Sequence, residues 1–488
     1  MAMRRPSARI VTTPMTSDWP KFSSCCESNL FGDRDRVRRK AVIRKLLTTL
    51  VIGGLTARRH AVTHAAGANL LIIGLSTVAG IVVARSMGAE GRGYYAAIMA
   101  WFALAQVVGE VGQSGAVTYW VARDPDRGRH YVASSRVIML AAGAVVSVAG
   151  FFGSYVLAQG NEAVTLAYQI AFLGCFLNSL CAATVYGLQS LSIKRWNIVR
   201  IVQPLAYLIV VGALSLFGVL NIVSLSVALI ASIAIQFAAA MLQAGAVGLS
   251  AGSSGRLILR DLTRYGVAYA GSSVPATVSS QFDRLVLSRI AQPAQLGEYA
   301  VASTVAGLVF PFSTAVASVA FPRSAGAQVG ESQRRDIERR AVLGTTLISG
   351  VLALIIGLAG APLIPIVFGP SFGGAVGLVW WIMPSILFRS VSQVLGALLR
   401  GRDRPGLVTY GQVCGLAAGA LVIVPLTAWM GIRGAAVAVS FGELIVFVFA
   451  FAMLSFVRRK ARRGARSLEA NPMTGQHLDA ANLDGNLQ

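Results

Sequence analysis

The sequence predicts an all-α polytopic membrane protein of about twelve transmembrane helices in two pseudo-symmetric six-helix lobes. Three observations predict it. The chain has 488 residues, 55% apolar and 13% charged, with a mean hydropathy of +0.65, so its charges are too few to solvate an ordinary globular surface. Apolar windows of about 20 residues, the length that crosses a hydrocarbon slab roughly 30 Å thick, recur along it. Finally, Arg85 followed by Gly93-Tyr94-Tyr95-Ala96 returns as Arg289 followed by Gly297-Glu298-Tyr299-Ala300, and 289 minus 85, like 297 minus 93, gives 204. Parallel repeats of this kind are a recurrent transporter plan, with substrate sites between the halves.

A second echo supports the duplication. Gly187, Arg195 and Gln203 answer to Gly396, Arg404 and Gln412, each pair 209 apart. A short loop insertion between repeats accounts for the difference between the two offsets.

Residues 1–64 read as a basic cytoplasmic tail carrying Arg4, Arg5, Arg34, Arg36, Arg38, Arg39 and Lys40 among others. A solvated arm explains it better than an amphipathic helix over Val37 to Leu47 lying on anionic lipid. Spans are then expected near 66–85, 94–120, 135–158, 163–188, 199–218 and 222–247, forming an N-terminal lobe over 65–248. A cytoplasmic linker covers 249–264. The C-terminal lobe, 265–457, holds spans near 266–289, 297–320, 342–367, 375–399, 407–429 and 433–457, and 458–488 forms a second cytoplasmic tail.

The net charge of +23 does not indicate a nucleic-acid partner, because it is concentrated in the tails and in alternate loops. Arg123, Arg127 and Arg129, Lys194 and Arg195, Arg256 to Arg264, Arg334 to Arg340, and Arg402 and Arg404 all follow even-numbered spans. The opposite loops are nearly free of Lys and Arg apart from Arg92 and Arg433. By the positive-inside rule both termini face the cytoplasm of a multi-pass cell-membrane protein.

No Gly-x-x-x-x-Gly-Lys-Ser/Thr phosphate loop is present, so an ATPase is not expected. His60, His64, His130 and His477 all fall outside the spans, and the His60/His64 pair lacks the glutamate of a zinc-protease motif. The five cysteines show no metal or disulfide spacing. We therefore expect no enzyme activity, no metal and no cofactor.

The informative residues are charges inside the spans, because a charge at membrane depth is costly and usually faces a cavity or a partner. They are Glu110, Asp283, Arg284, Arg389 and Glu443, with Gln281 among the uncharged polar residues beside them. One reading is a hydrated cleft in which Arg284 and Arg389, with Gln281, hold an anionic group and Glu110, Asp283 or Glu443 exchanges a proton or cation. The other is a set of buried pairs that lock helices together. Arg85 and Arg289, at the outer ends of the first and seventh spans, either snorkel to head groups or gate and bind substrate. Gly109, Gly112 and Gly115 suit close helix packing.

Several segments together resemble the polysaccharide-repeat-unit (Wzx-type) flippases of the multidrug/oligosaccharidyl-lipid/polysaccharide exporter (MOP) superfamily. They are Met87-Gly88-Ala89-Glu90-Gly91-Arg92-Gly93-Tyr94, Phe282-Asp283-Arg284-Leu285-Val286-Leu287-Ser288 leading into Leu296-Gly297-Glu298-Tyr299-Ala300, Pro362-Leu363-Ile364-Pro365-Ile366-Val367-Phe368-Gly369-Pro370-Ser371-Phe372, Leu398-Leu399-Arg400-Gly401-Arg402-Asp403-Arg404-Pro405, and Gly431-Ile432-Arg433-Gly434-Ala435-Ala436-Val437-Ala438. The resemblance spans about residues 66 to 457. It implies a MATE-like fold and alternating access, with a polyprenyl-pyrophosphate-linked oligosaccharide carried from the cytoplasmic to the outer leaflet for surface polysaccharide synthesis. Implied partners are that lipid-linked glycan, membrane lipids, and a glycan polymerase or glycosyltransferases.

A multidrug/cation antiporter of the same superfamily is the main rival reading. A major-facilitator antiporter is a weaker one, since Asp124-Pro125-Asp126-Arg127-Gly128-Arg129 is out of register with that family's loop motif. A non-transporting scaffold would leave the arginines inside the spans unexplained.

Overall fold

In the computed structural model the described residues are 33–249, 252–325, 331–402 and 404–470. The chain forms two compact units, Met1–His60 and Ala61–Gln488, and the second holds the helical bundle. Residues 1–32 and 471–488, where much of both expected tails falls, lie outside the described residues.

The described elements are helical throughout. The first half comprises α1 (Asp33–Glu110), α2 (Gln113–Arg123), α3 (Gly128–Leu157), α4 (Glu162–Leu191), α5 (Ile193–Leu216) and α6 (Ile222–Gly245). The second comprises α7 (Arg256–Ile290), α8 (Pro293–Ala306), α9 (Phe310–Ala325), α10 (Glu331–Phe368), α11 (Gly373–Gly401), α12 (Pro405–Met430) and α13 (Ile432–Ala470). Thus 33–64 belong to α1 and 458–470 to α13.

Among the described residues 10 segments are long and apolar enough to cross a membrane. The first, Gly67–Glu110, runs 44 residues and turns at Gly88, where φ is 66°. At 1.5 Å per residue it is long enough for two crossings. A further helix, α7, is 35 residues long but too polar to be among them, because its charge-free stretch between Arg264 and Asp283 carries Tyr265, Tyr269, Ser273, Thr277, Ser279, Ser280 and Gln281. With that turn and α7 the architecture meets the expected count of about twelve.

The apolar residues face outward. In the most apolar window of α12 only 17% is buried, and Leu216, Leu421 and Trp429 stand exposed, an arrangement that lipid rewards and water does not. The interior is correspondingly rich in Ala, Gly and Ser, which let helix backbones approach closely. Within the first half α3 packs on α4, and α4 and α5 on α6; within the second α11 packs on α9, α10 and α13, and α12 on α13.

Local signals set the helix limits. Asn161 Oδ1 accepts from Val164 N at 3.1 Å, capping α4, and Asn221 with Ser224 forms a reciprocal capping box on α6. Gly431, at φ 62°, separates α12 from α13. The most unusual backbone lies between α1 and α2, where Val111 and Gly112 both adopt left-handed φ, 48° and 67°. A β-branched residue there is strained. The break lets Gly112 lie against the Gly266 carbonyl of α7, leaving no room for a Cβ, while Gln113 Nε2 donates to the Leu262 carbonyl at 3.2 Å. Gly115 fits under the Tyr269 ring. Of the three small residues expected to pack this helix, Gly112 and Gly115 therefore pack its broken end across the halves, and Gly109 packs on Gly143 of α3 within the first half.

Candidate functional site

Three of the charges inside the spans come together in the second half. Arg389 of α11 pairs with Glu443 of α13, Nε to Oε1 at 3.8 Å, with side chains 36% and 13% exposed. The Arg389 guanidinium also lies 5.5 Å from the Phe310 ring centroid. Asp283 of α7 receives a hydrogen bond from Tyr299 Oη at 3.0 Å, and its Oδ1 accepts from the Arg284 backbone N–H at 2.9 Å. These groups line two adjoining cavities of about 220 and 40 Å³, which share Ser279, Arg389 and Glu443. Gln412 and Arg400 complete the larger one. A pair separated by 3.8 Å is Coulombic rather than tightly hydrogen-bonded, so guanidinium donors remain directed at the cavity.

Arg284 and Gln281 engage each other along α7, Nη1 to Oε1 at 3.3 Å, on either side of Asp283 in the sequence. Glu110 stands apart from this cluster: its carboxylate accepts from Tyr186 Oη at 2.9 Å within the first half. Each carboxylate thus has a tyrosine or arginine partner.

The duplicated arginines reach across the halves. Arg85 Nε donates to the Val367 carbonyl at 2.8 Å and Nη2 to that of Ile366; Arg289 Nη1 donates to the Val156 carbonyl. Both sets of acceptors are in the last turn of a helix, α10 and α3, where carbonyls lack intrahelical partners and the dipole favours a cation. The acceptors lie 210 apart, 366 minus 156, one residue from the 209 offset. Between the arginines, Gly93 and Gly297 meet each other. A Cβ on Gly93 would strike the Pro293 carbonyl and the Gly297 N, and one on Gly297 the Ala89 carbonyl and the Gly93 N. The two copies of the signature are thus one contact about a local dyad.

Both arginines are exposed, so each contributes about 0.3–1 kcal/mol through its helix end. The double change Arg85→Gln, Arg289→Gln is expected to loosen this end by roughly 1–2 kcal/mol. A cysteine placed at Ala97, in the interlobe cavity behind the contact, should then be alkylated several-fold faster; an unchanged rate would assign the closure to the glycines alone.

Two features were not foreseen. Arg92, expected in an outer loop, is helical and 9% exposed, because the chain turns at Gly88 without forming a loop. Its guanidinium stacks on Tyr95, 5.2 Å from the centroid, and its Nε has no acceptor. At the other end of the bundle, Glu338 of α10, with no exposed side-chain surface, accepts from Arg402 at 2.6 and 3.1 Å and from Arg458 at 2.7 Å. The sequence signal for the second was a lone glutamate within the arginine-rich run 334–340.

The fold is that of the MOP superfamily transporters. The chain is similar to an inward-facing multidrug resistance MATE family transporter (TM-score 0.65, 16% identity, 79% of this chain and 96% of that one). It is also similar to the lipid II flippase MurJ in an inward closed conformation (TM-score 0.68, 12% identity, 80% and 87%). An outward-facing MATE family transporter aligns with a TM-score of 0.56 at 14% identity, over 83% and 96%. The chain belongs to the polysaccharide biosynthesis protein family, whose sequence model matches residues 61–328. The amylovoran biosynthesis protein AmsL of Erwinia amylovora is 21% identical over 188 residues, 38% of this chain. The chain spans about half, 48%, of the length of that curated relative.

Proposed function

We propose that the protein flips a polyprenyl-pyrophosphate-linked oligosaccharide from the cytoplasmic to the outer leaflet by alternating access, for surface polysaccharide synthesis. The observation that carries this reading is the Arg389–Glu443 pair opening on a cavity inside a bundle whose outside is apolar. Arginine is suited to pyrophosphate through charge-assisted hydrogen bonds, and the Glu443 carboxylate is displaced from Arg389 when the anion arrives. Moving about two negative charges outward along an inside-negative potential supplies about 2.3 kcal/mol per charge per 100 mV.

By the positive-inside rule the Arg85/Arg289 end faces outward and both termini lie in the cytoplasm, with the chain in the inner membrane. The contact between the signatures is then a closed outer gate, and the better fit to inward-facing than outward-facing relatives supports that state. Residues 249–264 serve as the linker between the lobes, and a glycan polymerase is the natural recipient of the product.

The test is a liposome assay with a fluorescent lipid-linked oligosaccharide and the purified chain. Wild type is expected to equilibrate the lipid between leaflets, and Arg389→Ala to lose at least roughly tenfold in rate, the value of one charged hydrogen bond. Normal flipping by Arg389→Ala would remove Arg389 as a ligand. Asp283 and Glu443 are also what a cation-coupled drug exporter needs; proton-dependent drug efflux without lipid flipping would establish that reading instead.

A further inference from the structure

The first half contains a cavity of about 370 Å³ lined by Tyr95, Arg200, Gln203, Tyr207, Ser232 and Gln236 among others. It is the repeat-mate of the second-half cavities. Gln203 corresponds to Gln412 by the 209 offset, and both line their cavities. Tyr95 and Ala79, also a lining residue, correspond to Tyr299 and Asp283 by the 204 offset. Gln236 lines the first-half cavity and Val446, 210 residues on as Ile432 is from Ile222, lines the second-half ones.

The mates have diverged in charge. Where the second half has Asp283 the first has Ala79, and its described lining holds no carboxylate. The one charged residue of that described lining is Arg200, whereas the second-half cavities set Asp283 and Glu443 against Arg389 and Arg400. Arg200 lies 4.2 Å from the Trp196 ring centroid and donates to Asn69 Oδ1 at 3.0 Å, and neither of these neighbours carries a negative charge. Behind the wall, the buried Arg92 stacks on Tyr95, which in turn stacks on Tyr207 with centroids 6.4 Å apart. The result is a positive cavity furnished with amides, hydroxyls and aromatic faces. Aromatic rings suit the C–H face of a sugar, amides its hydroxyls, and guanidinium an oxyanion. A volume of this order falls at the lower end of small-ligand sites.

We infer that the first-half cavity binds a second anion-bearing, sugar-sized part of the substrate beside the one held at Arg389, while Asp283 and the displaced Glu443 are left for a proton or cation. The inference deepens the proposed function and rests on it. The anion has two possible sources, the carboxylate of an acidic sugar and the phosphates of the lipid carrier. The purified full chain in detergent is titrated with glucuronate, with inorganic pyrophosphate and with glucose, reading tryptophan fluorescence and calorimetric heat.

Saturable binding of glucuronate, at least tenfold tighter than glucose, assigns the sugar; the same result with pyrophosphate assigns the carrier. Arg200→Gln should weaken the preferred anion at least tenfold, and Arg200→Lys by less. Arg195→Gln, which removes an equal charge outside the lining, should change it less than twofold. Failure of both anions to bind, or equal losses in Arg200→Gln and Arg195→Gln in proteins that melt like wild type, would overturn the inference. Binding is read without transport, so a failure here leaves the flippase reading to the liposome assay.

Discussion

Glu338→Ala is expected to destabilise the protein by about 3–5 kcal/mol, the usual result of removing one partner from a buried ionic cluster. Glu338 has no exposed side-chain surface and Arg402 only 3%, and Arg458 is 26% exposed. Removing the carboxylate takes from Arg402, at the end of α11, and Arg458 of α13 the buried acceptor they share on α10. Thermal unfolding of the purified chain in detergent should show a melting temperature lower by several degrees, with loss of folded protein from the membrane. The mechanism also predicts a rescue. Replacing Glu338, Arg402 and Arg458 together by Leu and Met restores most of the stability, because no charge is then stranded. Wild-type melting of Glu338→Ala, or a triple variant no better than the single, would show that the cluster is solvated.

Gly93→Ala is expected to open the end of the bundle held by the repeated signature. The added methyl meets backbone, the Pro293 carbonyl and Gly297 N, rather than a side chain that can swing away. Overpacking of this kind costs about 1–3 kcal/mol, and because only the closed arrangement bears it, the closed-to-open ratio falls roughly 5–150-fold. Alkylation of the Ala97→Cys reporter should rise accordingly, and lipid flipping should fall. Gly153→Ala is the control, since a Cβ at Gly153 meets nothing within 4 Å. Equal reporter rates in Gly93→Ala and Gly153→Ala would sink the idea that the glycines form a gate.

Much of this architecture was legible in the sequence. The span positions follow from apolar windows whose length the membrane dictates, and helix ends such as Asn161 and Asn221 carry their own capping chemistry. The duplication was legible as an offset of 204. The consequence of the offset was not, because Gly93 and Gly297 meet only when the two halves are docked. Arg85 and Arg289 illustrate the same limit. Their symmetric placement was visible, but their acceptors are backbone carbonyls 281, 282 and 133 residues away, which no side-chain pattern marks. Arg92 was misplaced because a turn at one glycine takes the place of a loop. Arg389 and Glu443, 54 residues apart (443 minus 389), were each visible as costly charges in lipid, yet their pairing depended on which faces of α11 and α13 meet.

The sequence by itself determined that the chain spans a membrane many times, that its body is a duplication, and that few charges enter the apolar spans. Composition and period suffice for these, since lipid imposes length and polarity rules on every segment separately. The tertiary structure alone decided what each charge does. It set the repeated arginines on opposing helix ends and brought the glycines of the repeats into contact. It gathered Asp283, Arg389 and Glu443 around cavities, and left the matching cavity of the first half with arginine and no carboxylate. The physical reason is that a charge's role is fixed by its nearest opposite charge, carbonyl or void, and in a helical bundle those neighbours come from other helices.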